Sequence, residues 1–152
     1  MTRVFLLALI TLAFATSSAV AAGRFVTKLS LPSGQTVLVA EGEFEASSIG
    51  SFSVRLYQSA APGNETTFFI SGLVSAREGV VEKALLADIN GDELPEIIVI
   101  VRSVGTGSYL SAHAFGVDMD QRLILLASVE GLQATADPVL ALRASTLPGM
   151  TE

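Results

Sequence analysis

Asp88-Ile-Asn-Gly-Asp-Glu-Leu-Pro-Glu-Ile-Ile-Val-Ile-Val-Arg-Ser-Val-Gly-Thr-Gly-Ser-Tyr-Leu-Ser-Ala-His-Ala-Phe115 is the stretch whose reading decides the fold. Glu96 to Val101 is a continuous Ile/Val run, the pattern of a strand at a sheet centre with both faces buried. An acidic turn precedes it, with Pro95 stiffening entry to the strand. A Gly-rich loop follows, ending in Thr106-Gly107-Ser108-Tyr109. Tyr109 to Val117 then alternates as a half-buried strand does. Two stiff strands holding a short loop with hydroxyls and an aromatic ring at its rim describe a recognition element. They do not describe a catalytic pocket.

The same punctuation extends in both directions. Gly, Pro, Asn or Asp recurs at intervals of about 8 to 12 residues, the spacing of antiparallel all-β domains. Phe25 to Leu31 and Thr36 to Ala40 read as a hairpin around Pro32-Ser33-Gly34. Gly42 to Ser48 is expected to form a return or edge strand. Phe52, Val54 and Leu56 face one way and Ser53, Arg55 and Tyr57 the other, a half-buried strand. Thr66 to Ile70, Gly79 to Ala87 and Arg122 to Ser128 complete the set, although Glu82 to Leu86 also suits a helix. The expectation is an all-β fold, a single antiparallel β-sandwich or flattened barrel of about eight strands. The domain is expected over residues 23–131, with a loosely ordered, Ala-, Thr- and Pro-rich tail over 132–152.

Residues 1–22 read as an export signal: Arg3, an apolar run from Val4 to Ala15, and the small residues Ala19-Val-Ala-Ala22. That run is shorter than the roughly 20 residues a membrane span needs. With no Cys at the cleavage site, a lipid anchor is excluded. Removing 22 of 152 residues leaves 130, enough for one core. Arg3 leaves with the signal, so 8 basic residues stand against 15 acidic ones, a net charge of −7. That surface disfavours nucleic acid and anionic lipid and favours basic partners. Export without Cys suits a bacterial periplasm. Zero Cys and one His also remove Cys/His zinc sites and thiol nucleophiles, and no cofactor is indicated.

Three motifs invite chemistry. Asp88, Asn90, Asp92 and Glu96 have the spacing of a calcium loop, but Gly91 falls at the fourth position and no twelfth-position Glu follows. A tight turn whose Asp and Asn side chains bond nearby amides is the better reading. His113 shares a strand face with Tyr109, Ser111 and Phe115. Ser111 lies nearly 7 Å from it along the strand, too far for a nucleophile–base pair, so a sheet-surface His is expected. Gly105 to Tyr109 lacks the Lys and the following helix of a phosphate loop. It reads as a rigid loop presenting Thr106, Ser108 and Tyr109, and Tyr is enriched at binding hot spots.

Taken in order, the export signal, Ser48-Ile-Gly-Ser-Phe-Ser-Val-Arg-Leu-Tyr57, Asp88-Ile-Asn-Gly-Asp-Glu-Leu-Pro-Glu96 and the Thr106-Gly-Ser-Tyr109 loop resemble the bacterial periplasmic inhibitors of I-type lysozyme. The resemblance covers nearly all of the chain after the signal. It implies an all-β, often dimeric, non-enzymatic domain. A Ser-Gly-x-Tyr loop and a nearby basic side chain would enter the lysozyme cleft. The loop maps onto Thr106, Gly107, Ser108 and Tyr109, with Thr in place of Ser at the first position, and the basic residue onto Arg122. The implied partner is lysozyme, I-type most of all, met in the periplasm. A second reading is a non-inhibitory exported binding module that uses the Asp88–Glu96 turn for calcium.

Overall fold

The chain alternates short runs of inward apolar side chains with turns, and each run becomes a strand. The computed structural model describes residues 23–146, so the export signal of 1–22 and residues 147–152 lie outside the described residues. The strands are β1 (Val26–Ser30), β2 (Thr36–Glu41), β3 (Ile49–Tyr57), β4 (Phe69–Glu78), β5 (Val80–Ala87), β6 (Glu96–Arg102), β7 (Leu110–Val117) and β8 (Leu123–Leu132), followed by α1 (Pro138–Thr146). They form two antiparallel four-stranded meanders, β1-β2-β3-β4 and β5-β6-β7-β8. The sheets stay separate, so the architecture is a sandwich and not a closed barrel.

Between the sheets, Val37, Val39, Phe52, Val54 and Leu56 meet Val81, Ile97, Val99, Val101, Phe115 and Leu123. Phe52 and Phe115 meet edge to face at 6.1 Å. This is the core that the alternation of β3 and the Ile/Val run of β6 require. The outer face of β6 and β7 carries a second cluster of Ile89, Ile98, Ile100, Leu110, Ala112 and Ala114, closed by Leu142 of α1. Glu96 to Val101 is therefore buried on both faces.

That helix differs from the loosely ordered tail expected from residue 132. Asp137 caps it by accepting from the Val139 and Leu140 amides, and Pro138 opens it with its fixed φ. Arg143 donates to the Asp88 carbonyl and Thr146 to the Ile89 carbonyl, at 2.9 and 2.8 Å. Leu142 is fully buried. One apolar anchor and two polar latches hold the helix down.

Gly42 to Ser48 is likewise not a strand. The buried Arg77 guanidinium draws its backbone away from a ladder, taking the carbonyls of Ala46, Ser47, Ser51 and Gly79. Glu45 turns back to the amide and hydroxyl of Ser51. β4 runs well past Ile70, to Glu78. Gly79 alone then carries the chain from one sheet to the other. Its φ of 127° lies in the region glycine favours, and a Cβ there would collide with the Arg102 carbonyl.

Candidate partner-binding loop

The loop between β6 and β7 begins where the sandwich ends. Val101 and Leu110, on either side, are buried, while Val104, Gly105, Thr106, Gly107 and Tyr109 are exposed. The Ser103 amide donates to the Tyr109 carbonyl at 2.9 Å and closes the loop at its base. Gly105 has φ 139°, which only glycine adopts without strain. Ser108 sits at φ 45°, a left-handed conformation costly for a side-chain-bearing residue. The Tyr109 ring lies against Gly107 so closely that a Cβ on Gly107 would run into it. Tyr109 is 47% exposed: one flank of the ring rests on the loop and the rest faces solvent.

Arg102, the last residue of β6, braces the loop from below. Its Nη1 donates to the Ser108 carbonyl at 3.1 Å. Its Nε and Nη2 fork onto Glu82 of β5, the latter at 2.9 Å. The pair holds the Glu82 carboxyl below the usual carboxylate range, chiefly through the Arg102 hydrogen bond, and raises the Arg102 pKa. No local motif in the sequence marks Arg102. The available signal was a charged residue closing an otherwise unbroken Ile/Val run.

Of the residues assigned to partner binding, Thr106, Gly107, Ser108 and Tyr109 are together at this end of the molecule. Arg122 is not. It sits in the turn between β7 and β8, at the far end of β7. Eight residues at about 3.3 Å each put it roughly 25 Å from the loop. There Arg122 pairs with Asp118 at 3.2 Å and Asp120 at 3.0 Å.

The Asp88–Glu96 turn is occupied by its own backbone. Asp88 accepts from the amides of Asn90, Gly91 and Glu93. Asn90 accepts from Asp92, and Asp92 from Leu94. The Gly91 amide, above all, holds the Asp88 carboxyl low. The Asn90 side-chain amide stands between Asp92 and Glu96, donating at 3.1 and 3.0 Å. A donor thus occupies the middle of the four residues of the calcium reading, and buried Glu96, its pKa raised by desolvation, also receives the Ile89 amide.

His113 faces inward, not outward as expected. Its ring packs against Phe52 at 5.5 Å, and with Ser111, Arg77, Glu78 and Glu130 it lines a small recess between β4 and β8. Burial lowers its pKa. No hydrogen bond joins Ser111 and His113, so the recess holds no nucleophile–base pair.

The family model for the periplasmic lysozyme inhibitor of I-type lysozyme matches residues 23–146. The chain belongs to this family. The family is one of periplasmic protein inhibitors, not of enzymes. The crystal structure of the Aeromonas hydrophila inhibitor PliI-Ah is similar, with 47% identity and a TM-score of 0.73, covering 78% of this chain and 98% of that one. The A. hydrophila inhibitor in complex with Meretrix lusoria lysozyme is also similar, at 46% identity and TM-score 0.71, covering 78% of this chain and 95% of that one. Among curated proteins, no sequence matches. The family match extends through α1, to residue 146.

Proposed function

We propose that the chain is exported on removal of residues 1–22 and inhibits I-type lysozyme by filling its active-site cleft with Thr106, Gly107, Ser108 and Tyr109. Glycoside hydrolases of this kind work with two carboxyl groups facing each other across a cleft. A plug must offer hydrogen-bond donors to them, and the Thr106 hydroxyl, the Tyr109 phenol and the loop amides are donors. The observation that carries the proposal is the half-exposed Tyr109 ring, fixed against Gly107 at the tip of a loop rooted in two buried strands. Such a loop loses little conformational entropy on binding. The lysozyme complex of the A. hydrophila relative points to the same class of partner.

In this reading Arg122 makes a second, separate contact, exchanging its Asp118 and Asp120 partners for a lysozyme carboxylate. Lysis of Gram-positive cell walls by a panel of lysozymes, with and without the mature protein, tests the proposal. I-type lysozyme retaining full activity at high molar excess of the protein would refute it. Tyr109→Ala should weaken binding by at least about 2 kcal/mol, roughly thirtyfold. The losses of Tyr109→Ala and Arg122→Ala should add, because sites more than about 10 Å apart rarely couple. Coupling well above about 0.5 kcal/mol would mean that the two residues share a contact after all.

A further inference from the structure

We propose that Arg102 and Glu82 form a clamp that pre-sets the binding loop, making Arg102 a positioning residue for inhibition. The inference rests on the reading of Thr106 to Tyr109 as the plug. Three features of the fold converge on this one residue. The first is a break in the β5–β6 ladder: Val81 pairs with Val101 and Lys83 with Ile100, leaving Glu82 as the extra residue of a bulge. Bulges re-aim side chains, and this one swings the Glu82 carboxylate onto the Arg102 fork. The second is Gly79, whose missing side chain lets the β4–β5 crossing lie directly against the Arg102 carbonyl. The third is the remaining guanidinium nitrogen of Arg102, Nη1, which donates to the Ser108 carbonyl.

The energetics suit positioning and not bulk stability. Arg102 and Glu82 side chains are 31% and 41% exposed, and ion pairs so exposed add little to global stability. Ser108, however, holds a left-handed φ that the free chain rarely adopts. A planar guanidinium has donors pointing both to Glu82 and to the loop, so it ties Ser108 to β5 across the end of the sheet. Lysine keeps the charge but cannot span both partners with fixed geometry.

The test compares wild type with Arg102→Lys, Glu82→Gln, the double variant and Tyr109→Ala. The readouts are inhibition of I-type lysozyme, melting temperature, and amide hydrogen exchange across residues 103–109 without lysozyme. Arg102→Lys should weaken inhibition about tenfold and Glu82→Gln about threefold. Both should speed exchange at Ser103 and Ser108, whose amides close the loop, with little change in melting temperature. The double variant should be no weaker than Arg102→Lys alone, because the pair acts as one device. Wild-type inhibition by Arg102→Lys, while Tyr109→Ala loses binding, overturns the clamp and leaves the plug standing. Weakened inhibition with unchanged loop exchange also overturns it, since Arg102 would then be touching lysozyme directly. If Tyr109→Ala itself inhibits like wild type, the plug reading fails, and the loop-exchange data still judge the clamp.

Discussion

Leu142→Ala tests whether α1 is part of the domain or an accessory to it. Leu142 is the one buried residue of the helix, closing the outer cluster over Ile98, Ile100, Leu110, Ala112 and Ala114. A nine-residue helix is too short to persist on its own propensity, so it exists by docking. Truncating a fully buried Leu to Ala costs about 2–5 kcal/mol, more where the site cannot collapse. Here Arg143 and Thr146 tie the C-terminal half of the helix to the Asp88 and Ile89 carbonyls and oppose its settling into the gap. The loss should therefore be about 3 kcal/mol. At roughly 4 °C per kcal/mol for a domain of this size, the melting temperature should fall by about 12 °C. Circular dichroism through the thermal transition reads this directly. If the helix undocks before the sandwich unfolds, binding of a hydrophobic dye below the transition rises as the Ile98–Ile100 face is exposed. A melting temperature within about 2 °C of wild type would mean that α1 contributes nothing to the fold, refuting the docking argument. Inhibition at temperatures well below the transition should be unchanged, because β6 and β7 still root the loop through the inner core.

Two other perturbations follow from the same geometry. His113 has a folded-state pKa lowered by burial against Phe52, opposed by Glu130, with Arg77 and Glu78 also lining its recess. Below its unfolded pKa of about 6.5 the unfolded chain takes up the proton first, so stability falls as pH drops through that value towards the folded pKa. Urea titrations at pH 7.5 and 5.5 should show that decline in wild type and a smaller one in His113→Phe; equal declines would mean that His113 does not cause it. Gly79→Ala places a Cβ on the Arg102 carbonyl at φ 127° and should cost about 3 kcal/mol or more, read as a lower urea midpoint. An unchanged midpoint would show that the sheet crossing tolerates a side chain.

The parts of this molecule legible in the sequence are those set by neighbours along the chain. Phe52, Val54 and Leu56 alternate because a strand presents every second side chain to one face, and no distant residue is needed to see it. The Ile/Val run of β6 announces a strand covered on both sides, although not what covers it. The cover was itself partly written: Asp137-Pro138 is a helix-start signal, obscured by the Ala-, Thr- and Pro-rich composition around it. Gly42 to Ser48 departs from the expected strand for a non-local reason. Its carbonyls are claimed by Arg77, which arrives from β4.

The proposed binding site divides along the same line. Thr106 to Tyr109 shows itself through its glycines and the strands on either side. Arg122 looks close to Tyr109 in sequence, yet the intervening residues are an extended strand, and extension converts a short sequence interval into distance. Arg102 is the converse case. Its partner Glu82 belongs to the preceding strand and faces it only because one residue of that strand is bulged. Local alternation encodes which way a side chain points in a regular strand; it does not encode where the register slips. The residue that holds the loop therefore emerges only when β5 and β6 are paired, and its effect is to fix the loop's conformation before any partner arrives.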